Sequence, residues 1–217
     1  KFMRVTDENS PYYGKLLLNK AGLPQSTGVS EKIGDQQADC MLGWNNSFRY
    51  KNFALSFQID GRLGGDIYSY TNYALQIAGR AECTAPGGMR ENFVVDGVIA
   101  QQDGTYAPST IKVSQQDYWQ AIGTGNTGIG EANIYDATNI RLRNIALNYS
   151  FPSSMLKKTI FQQLKLGFSV NNVWMIYSDM NGIDPEAVFI TNTNATGFEN
   201  CASPTSRSYL FNVTLGF

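Results

Sequence analysis

The sequence predicts an all-β protein built from antiparallel strands. The first observation is that segments of about ten residues alternate strictly between apolar and polar residues, which indicates strands with two different faces. The second is that two such segments, residues 41–51 and 52–62, follow each other with almost nothing between them, as in a hairpin with a tight turn. The third is that charged residues make up only 16% of the chain, against roughly 25% in soluble domains.

The composition argues against several classes of protein. The net charge of −1 argues against a nucleic-acid-binding protein, which needs a basic surface. No apolar run approaches the roughly 18 residues of a transmembrane helix, and the longest lies near Val173–Tyr177. Histidine is absent and Cys40, Cys83 and Cys201 have no CxxC spacing, so we predict neither a zinc site nor a Cys–His nucleophile. The sequence therefore predicts no enzyme, no metal and no cofactor.

The first two predicted strands form a hairpin that turns around Lys51 and Asn52. Each strand has one apolar face, and the first face is interrupted only by Asn46. The apolar faces are, in order, Leu42, Trp44, Phe48 and Tyr50, then Phe53, Leu55, Phe57 and Ile59.

Three further strands show the same alternation. They lie within residues 141–151, which Pro152 ends, residues 164–173, and the closing residues 207–217. Their apolar faces are, in order, Ile145, Leu147, Tyr149 and Phe151, then Leu164, Leu166, Phe168 and Val170, and finally Tyr209, Phe211, Val213, Leu215 and Phe217.

The connections between these strands differ greatly in length. The longest, from residue 64 to about 136, is rich in Gly, Tyr, Gln and Thr, and long connections in compact domains are usually functional. Within it we expect short helices in TNYALQIAGRA, residues 71–81, and in SQQDYWQAIG, residues 114–123. Near the start of the chain, residues 12–24 predict a short hairpin with Gly22 at its turn.

The alternation fits two architectures. In a soluble β-sandwich the apolar face packs into a core and the polar face meets water. In a transmembrane β-barrel the apolar face meets lipid and the polar face lines a wet interior. The polar faces here hold small uncharged residues rather than Lys and Glu, and Tyr or Trp near strand ends suits an interfacial girdle. The pattern favours a segment of an antiparallel barrel with long extracellular loops, and the sandwich is the alternative.

Four blocks of the sequence resemble a known family. Taken together and in this order, they resemble the end of the β-barrel in SusC/RagA-type TonB-dependent outer-membrane transporters. The third block contains that family's GxDPE turn at residues 182–186. The blocks are IGDQQADCMLGWNNSFRYKNFALSFQIDGRLGGDIYS (33–69), YDATNIRLRNIALNYSFPSSMLKK (135–158), LKLGFSVNNVWMIYSDMNGIDPE (164–186) and PTSRSYLFNVTLGF (204–217).

The resemblance implies a function and partners. Residues 1–217 would be the C-terminal portion of a barrel of about 22 strands, with the N-terminal plug domain and the earlier strands outside them. The whole protein would import oligosaccharides or peptides across the outer membrane of a Gram-negative bacterium. It would be driven by the TonB complex acting on the plug, and would work with a SusD-like surface lipoprotein. A passive porin or adhesin barrel and a soluble carbohydrate-binding sandwich are the alternative functions.

Aromatic residues of the longest connection are the candidate substrate-binding residues. Aromatic faces can stack on sugar rings or apolar ligand groups, and the alternative is that they pack the connection against itself. The resemblance also implies that the last strand, ending in Phe217, is the signal read by the outer-membrane assembly machinery. The candidate substrate-binding residues are Tyr68, Tyr70, Tyr73, Tyr118 and Trp119, and the assembly signal comprises Tyr209, Phe211, Val213, Leu215 and Phe217.

Three further expectations concern charged and reactive residues. The alternation places Arg141 and Arg143 on the apolar face of their strand, where they would mark the level at which lipid tails give way to head groups. The oxygen-rich stretch from residue 179 to 186 does not have EF-hand spacing, so we predict a turn rather than a calcium site. Cys83 and Cys201 lie in loop-like sequence, which allows a disulfide in an oxidising compartment.

Overall fold

A computed structural model describes residues 1–125, 128–180, 182–188 and 194–217. The chain divides into two compact units. The first, here called the sheet unit, comprises residues 36–66, 136–188 and 202–217. The second, the loop unit, comprises residues 1–35, 67–135 and 189–201.

The chain is all-β with a few short helices. The strands are β1 (Leu17–Leu18), β2 (Cys40–Tyr50), β3 (Phe53–Leu63), β4 (Asp66–Ser69), β5 (Phe93–Val94), β6 (Val98–Ala100), β7 (Tyr106–Pro108), β8 (Lys112–Val113), β9 (Ile134–Asp136), β10 (Asn139–Ser150), β11 (Gln163–Ser178), β12 (Phe198–Glu199) and β13 (Ser208–Gly216). The α-helices are α1 (Tyr70–Ile77), α2 (Gln115–Ile122) and α3 (Ser153–Leu156), and 3-10 turns span Glu82–Thr84, Pro86–Gly88 and Gly130–Asn133.

The sheet unit is one open antiparallel sheet of five strands. Its strand order is β13-β11-β10-β3-β2, and each pair of neighbours is antiparallel. These are the five strands that the alternation predicts. The hairpin turn between β2 and β3 falls at Lys51 and Asn52, as predicted, and Lys51 adopts a positive φ of 52° there.

The connections of this sheet alternate between short and long. The short ones, at residues 51–52 and 151–162, join strands at one end of the sheet. Because consecutive strands run in opposite directions, the long connections 64–138 and 179–207 both leave from the other end. Both short connections of the sheet therefore lie at one end of its strands, and both long connections lie at the other end.

The apolar face of the sheet is exposed. Phe53 keeps 50% of its surface accessible and Phe211 keeps 82%. Neighbouring rings contact one another along the sheet, with centroids 4.6 Å apart for Phe53 and Tyr149 and 4.8 Å apart for Phe168 and Phe211. A sandwich would cover these side chains with a second sheet, and the described part of the sheet unit contains none.

Aromatic residues gather near both ends of this face. Trp44 and Trp174 lie in one cross-strand row, because both are in register with β3 and β10 residues that pair with each other. The rows are Trp44, Ile59, Leu142 and Trp174 near the long connections, and Tyr50, Phe53 and Tyr149 near the tight turns.

A β-bulge corrects the prediction for the two arginines. Leu142 pairs with Ile59 and Asn144 pairs with Gln58, so Arg143 is an extra residue without a partner across the ladder. An extra residue reverses the inward and outward alternation beyond it. Arg141 consequently stands opposite Asp60 on the polar face, and the expected position of Arg141 and Arg143 on the apolar face was wrong.

The loop unit is built from small sheets and two capped helices. Both helices predicted in the long connection are confirmed, and each begins after a serine whose hydroxyl accepts a backbone N–H: Ser69 from Asn72 and Ser114 from Asp117. Its small sheets have the orders β1-β6-β7 and β12-β4-β9, with a separate β5-β8 pair. Within the described residues, no helix has the length and apolar character needed to cross a membrane.

The predicted N-terminal hairpin is present with a short ladder. Leu18 bridges to Pro24 in the antiparallel sense, and the Gly22 N–H donates to the Asn19 carbonyl oxygen at 2.9 Å. Gly22 has a φ of +78°, and a side chain there would meet Ile111. The hairpin packs into a small core of Leu18, Val95 and Val113.

Candidate functional site

The polar face of the sheet carries a row of hydrogen bonds between side chains. Asn144 Nδ2 donates to Asn171 Oδ1 at 2.6 Å, and Asn171 Nδ2 donates to Ser208 Oγ at 3.1 Å. In the same cross-strand row, Gln58 Nε2 donates to Asp60 Oδ1 at 2.8 Å. The two asparagine bonds link β10, β11 and β13 by their side chains as well as their backbones, whereas the Gln58 bond joins two residues of β3. The polar face is therefore a surface of hydrogen-bond donors and acceptors with little net charge.

A buried ion pair lies where the polar face of the sheet meets the connection after β11. Arg141 is 5% exposed and pairs with Asp184, whose side chain is equally enclosed. Asp184 Oδ2 also accepts the backbone N–H of Thr205 at 2.9 Å and its hydroxyl at 2.6 Å. Asp184 Oδ1 accepts the Glu186 N–H at 3.0 Å, and Pro185 is fully buried between them. The Asp184 carboxylate thus fixes two parts of this connection, residues 184–186 and Thr205, to strand β10.

These contacts lower the pKa of Asp184 well below its ordinary value. Burial alone would raise the pKa, and the hydrogen bonds from Arg141, Thr205 and the Glu186 backbone outweigh it. A lowered pKa means that this carboxylate stabilises the folded state at every pH above its unfolded-state value. The stabilisation is lost only as the pH falls through the lower, folded-state value.

A second arginine continues the same cluster. Arg143 holds Glu186 with two parallel bonds, Nη1 to Oε2 at 2.8 Å and Nη2 to Oε1 at 2.5 Å. Its Nε donates to Asp60 Oδ2 on the neighbouring strand at 2.8 Å. We call the five residues Asp60, Arg141, Arg143, Asp184 and Glu186 the arginine–acid cluster.

The arginine–acid cluster explains the turn that the sequence singled out. Asp184 and Glu186 of the GxDPE turn are both engaged by arginines, which agrees with the predicted turn. Asp179 accepts the Tyr177 hydroxyl at 2.6 Å, and Asn181 lies outside the described residues. Sequence reasoning quoted this turn without pairing it with the arginines, because the bulge that turns them inward has no signature in the alternation.

Two of the candidate aromatic residues are enclosed in the loop unit. Tyr68 stacks on Phe198 with a centroid distance of 5.3 Å and an interplanar angle of 6°. Burial, together with the nearby Tyr73 and Tyr70, raises the pKa of Tyr68 to about 12. The Tyr73 hydroxyl donates to the carbonyl oxygens of Gly123 and Gly125, which ties α1 to the end of α2. These two rings pack the connection against itself, and substrate contact by the five aromatic residues stays a prediction.

The other three candidates lie closer to solvent. Tyr70 packs against Tyr73 at 5.2 Å, and Tyr118 is wedged between Phe93 and Trp119 at 5.1 Å from each. The Trp119 indole N–H donates to Gln115 Oε1 at 3.2 Å, one helical turn away. Trp119 borders a cavity of about 250 Å³ between the end of α1 and α2. Of the five predicted residues, it is the one placed to meet a ligand there.

A buried carboxylate that sequence reasoning missed joins distant parts of the loop unit. Glu199 is 2% exposed and accepts hydrogen bonds from the Ser69 hydroxyl at 2.8 Å and the Thr71 hydroxyl at 2.5 Å. It also accepts the Thr71 backbone N–H at 3.2 Å, at the start of α1. A negative charge at a helix N-terminus is favourable. Glu199 therefore anchors β12 to the residues that begin the helix.

The remaining predicted residues are those of the last strand and the two cysteines. β13 pairs with β11 along its whole length, and Phe217 contacts Phe161 with a centroid distance of 5.3 Å. Its role as an assembly signal stays a prediction. Cys83 and Cys201 are free, exposed thiols in the structure, so the disulfide between them is not formed.

Comparison with known proteins gives relatives in one group. No family model matches the chain. The chain is 27% identical over 197 residues to TonB-dependent receptor P3 of Formosa agariphila, and this match covers 88% of the chain and 18% of the relative. It is 29% identical over 187 residues to TonB-dependent receptor P39 of the same organism, covering 85% of the chain and 17% of the relative. The chain thus spans less than a fifth of the length of these relatives.

The fold has counterparts among solved structures. A structure of the RagAB peptide importer in its open-open state matches with a TM-score of 0.54 and 15% identity, over 82% of this chain and 17% of the other. The closed-closed state matches with a TM-score of 0.53 and 16% identity. These comparisons confirm the resemblance predicted from the sequence: over most of its length the chain is similar in sequence to TonB-dependent receptors, and it shares its fold with part of RagAB.

Proposed function

We propose that this chain forms part of the wall of a TonB-dependent importer in the outer membrane of a Gram-negative bacterium. The observation that carries the proposal is the two-sided sheet. One face is a continuous, exposed apolar surface with tryptophans and tyrosines near its ends, and the other is a ladder of amides and hydroxyls. A sheet with these faces suits lipid on one side and a water-filled interior on the other.

The topology supports the same proposal. Strands of 9 to 16 residues are long enough to cross a bilayer when tilted. Short turns at one end of the sheet and long connections at the other match the short periplasmic turns and long outer loops of such barrels. In this arrangement the loop unit is made of extracellular connections, and residues 1–217 are the C-terminal portion of the barrel.

We propose the imported substrate and the partners from the matched relatives and structures. The matched relatives are receptors that depend on TonB, and the matched structures are of a peptide importer. We infer import of oligosaccharides or peptides, energised by TonB through a plug domain and assisted by a SusD-like lipoprotein at the loop side. The arginine–acid cluster would then fix the connection after β11 to the inner wall.

Lipid exposure is tested with two neighbouring positions on β13. Phe211→Cys and Asn212→Cys are labelled with a nitroxide in the full-length protein, reconstituted in liposomes after the exposed native cysteines are replaced by serine. The two positions lie at nearly the same depth but on opposite faces. We expect the label at 211 to collide more with oxygen, which concentrates in lipid, and the label at 212 to collide more with a water-soluble nickel chelate.

Either of two results contradicts the membrane wall. If both labels prefer the nickel chelate, the sheet lies in water, as a sandwich or adhesin would require. If the preferences are exchanged, the faces have been assigned to the wrong sides. The result is independent of which substrate the protein carries.

Energy coupling is tested in living cells. We expect uptake of the cognate oligosaccharide or peptide, scored as growth on it as the sole nutrient, to stop when the cell's TonB is deleted. A passive porin would continue to admit a small substrate without TonB, so undiminished uptake in the deletion strain excludes energised import. Deletion of the whole transporter in the same strain provides the baseline.

A further inference from the structure

The two short connections of the sheet lie next to each other. β3 and β10 are neighbouring strands, and the Ser150 N–H donates to the Asn52 carbonyl oxygen at 2.9 Å, which joins the β2–β3 turn to the end of β10. The connection that contains α3 begins directly after Ser150. The two connections therefore form one surface at the end of the sheet that carries the tight turns.

This end of the sheet is basic. A cross-strand row through the polar face divides the sheet unit, and the residues from this row to the tight turns are 45–58, 144–171 and 208–217. They include five basic residues and no aspartate or glutamate, in a chain whose net charge is −1. The five basic residues are Arg49, Lys51, Lys157, Lys158 and Lys165.

The charges of these five residues are not neutralised by the described part of the chain. All five side chains are exposed. None of the ion pairs formed among the described residues includes any of them. The basic end of the sheet is therefore open to an anionic partner.

Three of the five basic residues lie in the connections rather than in the strands. Arg49 and Lys165 belong to the polar faces of β2 and β11, whereas Lys51, Lys157 and Lys158 lie in the two connections. The Lys51 ammonium nitrogen is 5.4 Å from the centroid of the Tyr50 ring, which belongs to the apolar face and is 72% exposed. A lysine stem can lie along an apolar surface while its ammonium group reaches a polar layer. Lys51 is therefore placed at the border of the apolar face.

Exposed apolar side chains accompany the other two lysines. Met155 comes two residues before Lys157 and is 60% exposed, and Ile160 comes two residues after Lys158 and is 76% exposed. Exposed apolar residues next to lysines are typical of segments that lie in the interface between lipid and water. The connection after β10 therefore combines both features of an interfacial segment.

From these observations we propose that Lys51, Lys157 and Lys158 bind the headgroups of anionic phospholipids. Basic residues next to a membrane-spanning segment attract anionic lipids, and the apolar neighbours of these lysines continue the face that meets the acyl chains. An acidic protein segment would match the charge, but would leave the exposed Met155 and Ile160 unexplained. The inference rests on the proposed function, in which the short turns lie at the periplasmic, phospholipid-containing leaflet of the outer membrane.

The proposal is tested with a fluorescent label beside the lysines. Ser154 is an exposed residue of α3, and Ser154→Cys is labelled with bimane in the full-length protein after the exposed native cysteines are replaced by serine. The protein is reconstituted in phosphatidylcholine liposomes. A small, equal fraction of either phosphatidylglycerol or phosphatidylcholine carries a nitroxide on its acyl chain, and the nitroxide quenches bimane on contact. Quenching therefore reports which lipid is enriched at this site.

We expect phosphatidylglycerol to be enriched near residue 154 by about five- to twentyfold over phosphatidylcholine, because each lysine near an anionic lipid contributes roughly fivefold. Replacing Lys51, Lys157 and Lys158 together by glutamine should reduce the enrichment to less than about twofold. Raising the salt concentration from about 0.1 M to about 1 M should weaken it in the wild type, since salt screens exposed charges.

Two controls separate the lysines from general effects. The matched variant replaces three exposed lysines of the loop unit by glutamine, which removes the same charge and should leave the enrichment unchanged. A bimane label at Leu42→Cys reports on the opposite end of the apolar face, where Leu42 is 59% exposed. Both lipids should quench this label about equally. The three lysines of the matched variant are Lys15, Lys20 and Lys112.

Each outcome bears on the proposal. Equal quenching of the label at residue 154 by the two lipids overturns it, and so does an enrichment that survives the replacement of Lys51, Lys157 and Lys158. An equal loss in the matched variant also overturns it, because net charge would then explain the enrichment. If the two lipids quench equally and the three lysines resist an amine-reactive reagent, a protein segment covers them instead.

Failure of this inference is distinguishable from failure of the proposed function. Equal quenching at residues 42 and 154 by both lipids keeps the apolar face in the membrane and rejects only the headgroup site. Quenching at neither position by either lipid contradicts the membrane wall, and the headgroup site with it.

Discussion

Replacing Asp184 with alanine is expected to release the connection after β11 from the sheet. The change removes the nearest carboxylate of the buried Arg141, with Glu186 Oε2 remaining 3.5 Å from Arg141 Nη1, and it removes the acceptor for the Thr205 and Glu186 backbone N–H groups. Breaking a buried ion pair by removing one partner costs about 3–5 kcal/mol. The five strands keep their backbone ladder, so the loss falls on the local equilibrium between a docked and an undocked connection.

Hydrogen exchange on the full-length protein measures this release. The Thr205 and Glu186 amides donate to Asp184, so we expect both to exchange at least about a hundredfold faster in Asp184→Ala. Amides in the middle of β10, such as that of Leu147, should keep their wild-type rates. Unchanged exchange at residues 205 and 186 would show that Asp184 does not hold the connection.

A neighbouring ion pair provides the matched control. Glu186 pairs with Arg143 at 2.5 Å and more distantly, at 3.5 Å, with Arg141, but its side chain is 34% exposed against 8% for Asp184. Ion pairs open to solvent contribute about 0–1 kcal/mol, so Glu186→Ala should raise exchange less than about tenfold. A double replacement of Arg141 by Met and Asp184 by Leu should recover part of the protection, since it leaves no charge buried alone.

The pH dependence of the same signal gives an independent reading. The pKa of Asp184 is lowered by its partners, so wild-type protection should persist at pH 4, near the ordinary carboxyl value of about 3.9. It should fall only at more acidic pH, as the folded-state carboxylate takes up a proton. A loss of protection that is centred at pH 4 would mean that Arg141 does not stabilise the charged form.

The sheet was predictable because its two faces meet different surroundings along whole strands. A one-residue error in register would move every apolar side chain to the polar face, so the alternation specifies the pairing as well as the strands. The tight turn at Lys51 and Asn52 then fixes the first hairpin. This is why all five strands and their polarity could be read from the residues.

The bulge limited the prediction for the site. A single extra residue at Arg143 reverses the alternation beyond it, and both arginines then face the acids rather than the apolar side. The predicted strand of residues 164–173 also ends five residues too early, because β11 continues to Ser178, past an irregular position at Asn172. Periodicity describes a regular strand, so it predicts the wrong side-chain positions where a bulge shifts the register between strands.

The long-range contacts of the loop unit could not be predicted from the sequence for a different reason. Side-chain hydrogen bonds in this unit connect residues about 130 positions apart in the chain, such as Ser69 and Glu199. Local signals such as serine caps predict its helices, whereas no local signal pairs these distant side chains. Tyr68 and Trp119 look alike as loop aromatics, and only the packing encloses the first and leaves the second at a cavity.

Replacing Phe217 with alanine is expected to remove most of the protein from the assembled pool in the outer membrane. The ring is 73% exposed, so its loss changes the folding free energy by no more than about 0.5 kcal/mol. A large effect on assembly would therefore act before folding is complete, through recognition of the terminal strand. The measurement is the fraction of full-length protein that resists heat and trypsin in isolated outer membranes.

The ring partner of Phe217 separates recognition from packing. Phe161 contacts Phe217 across 5.3 Å, so Phe161→Ala removes the same ring contact and leaves the terminus unchanged. We expect Phe161→Ala to assemble almost normally, and the few assembled molecules of Phe217→Ala to import substrate at the wild-type rate per molecule. If the two variants assemble equally poorly, the contact between the rings matters and the terminal residue carries no signal. Because β13 is an edge strand of the described sheet, with β11 as its one neighbour there, a machinery that reads its free edge would act on a strand that is still open to a partner.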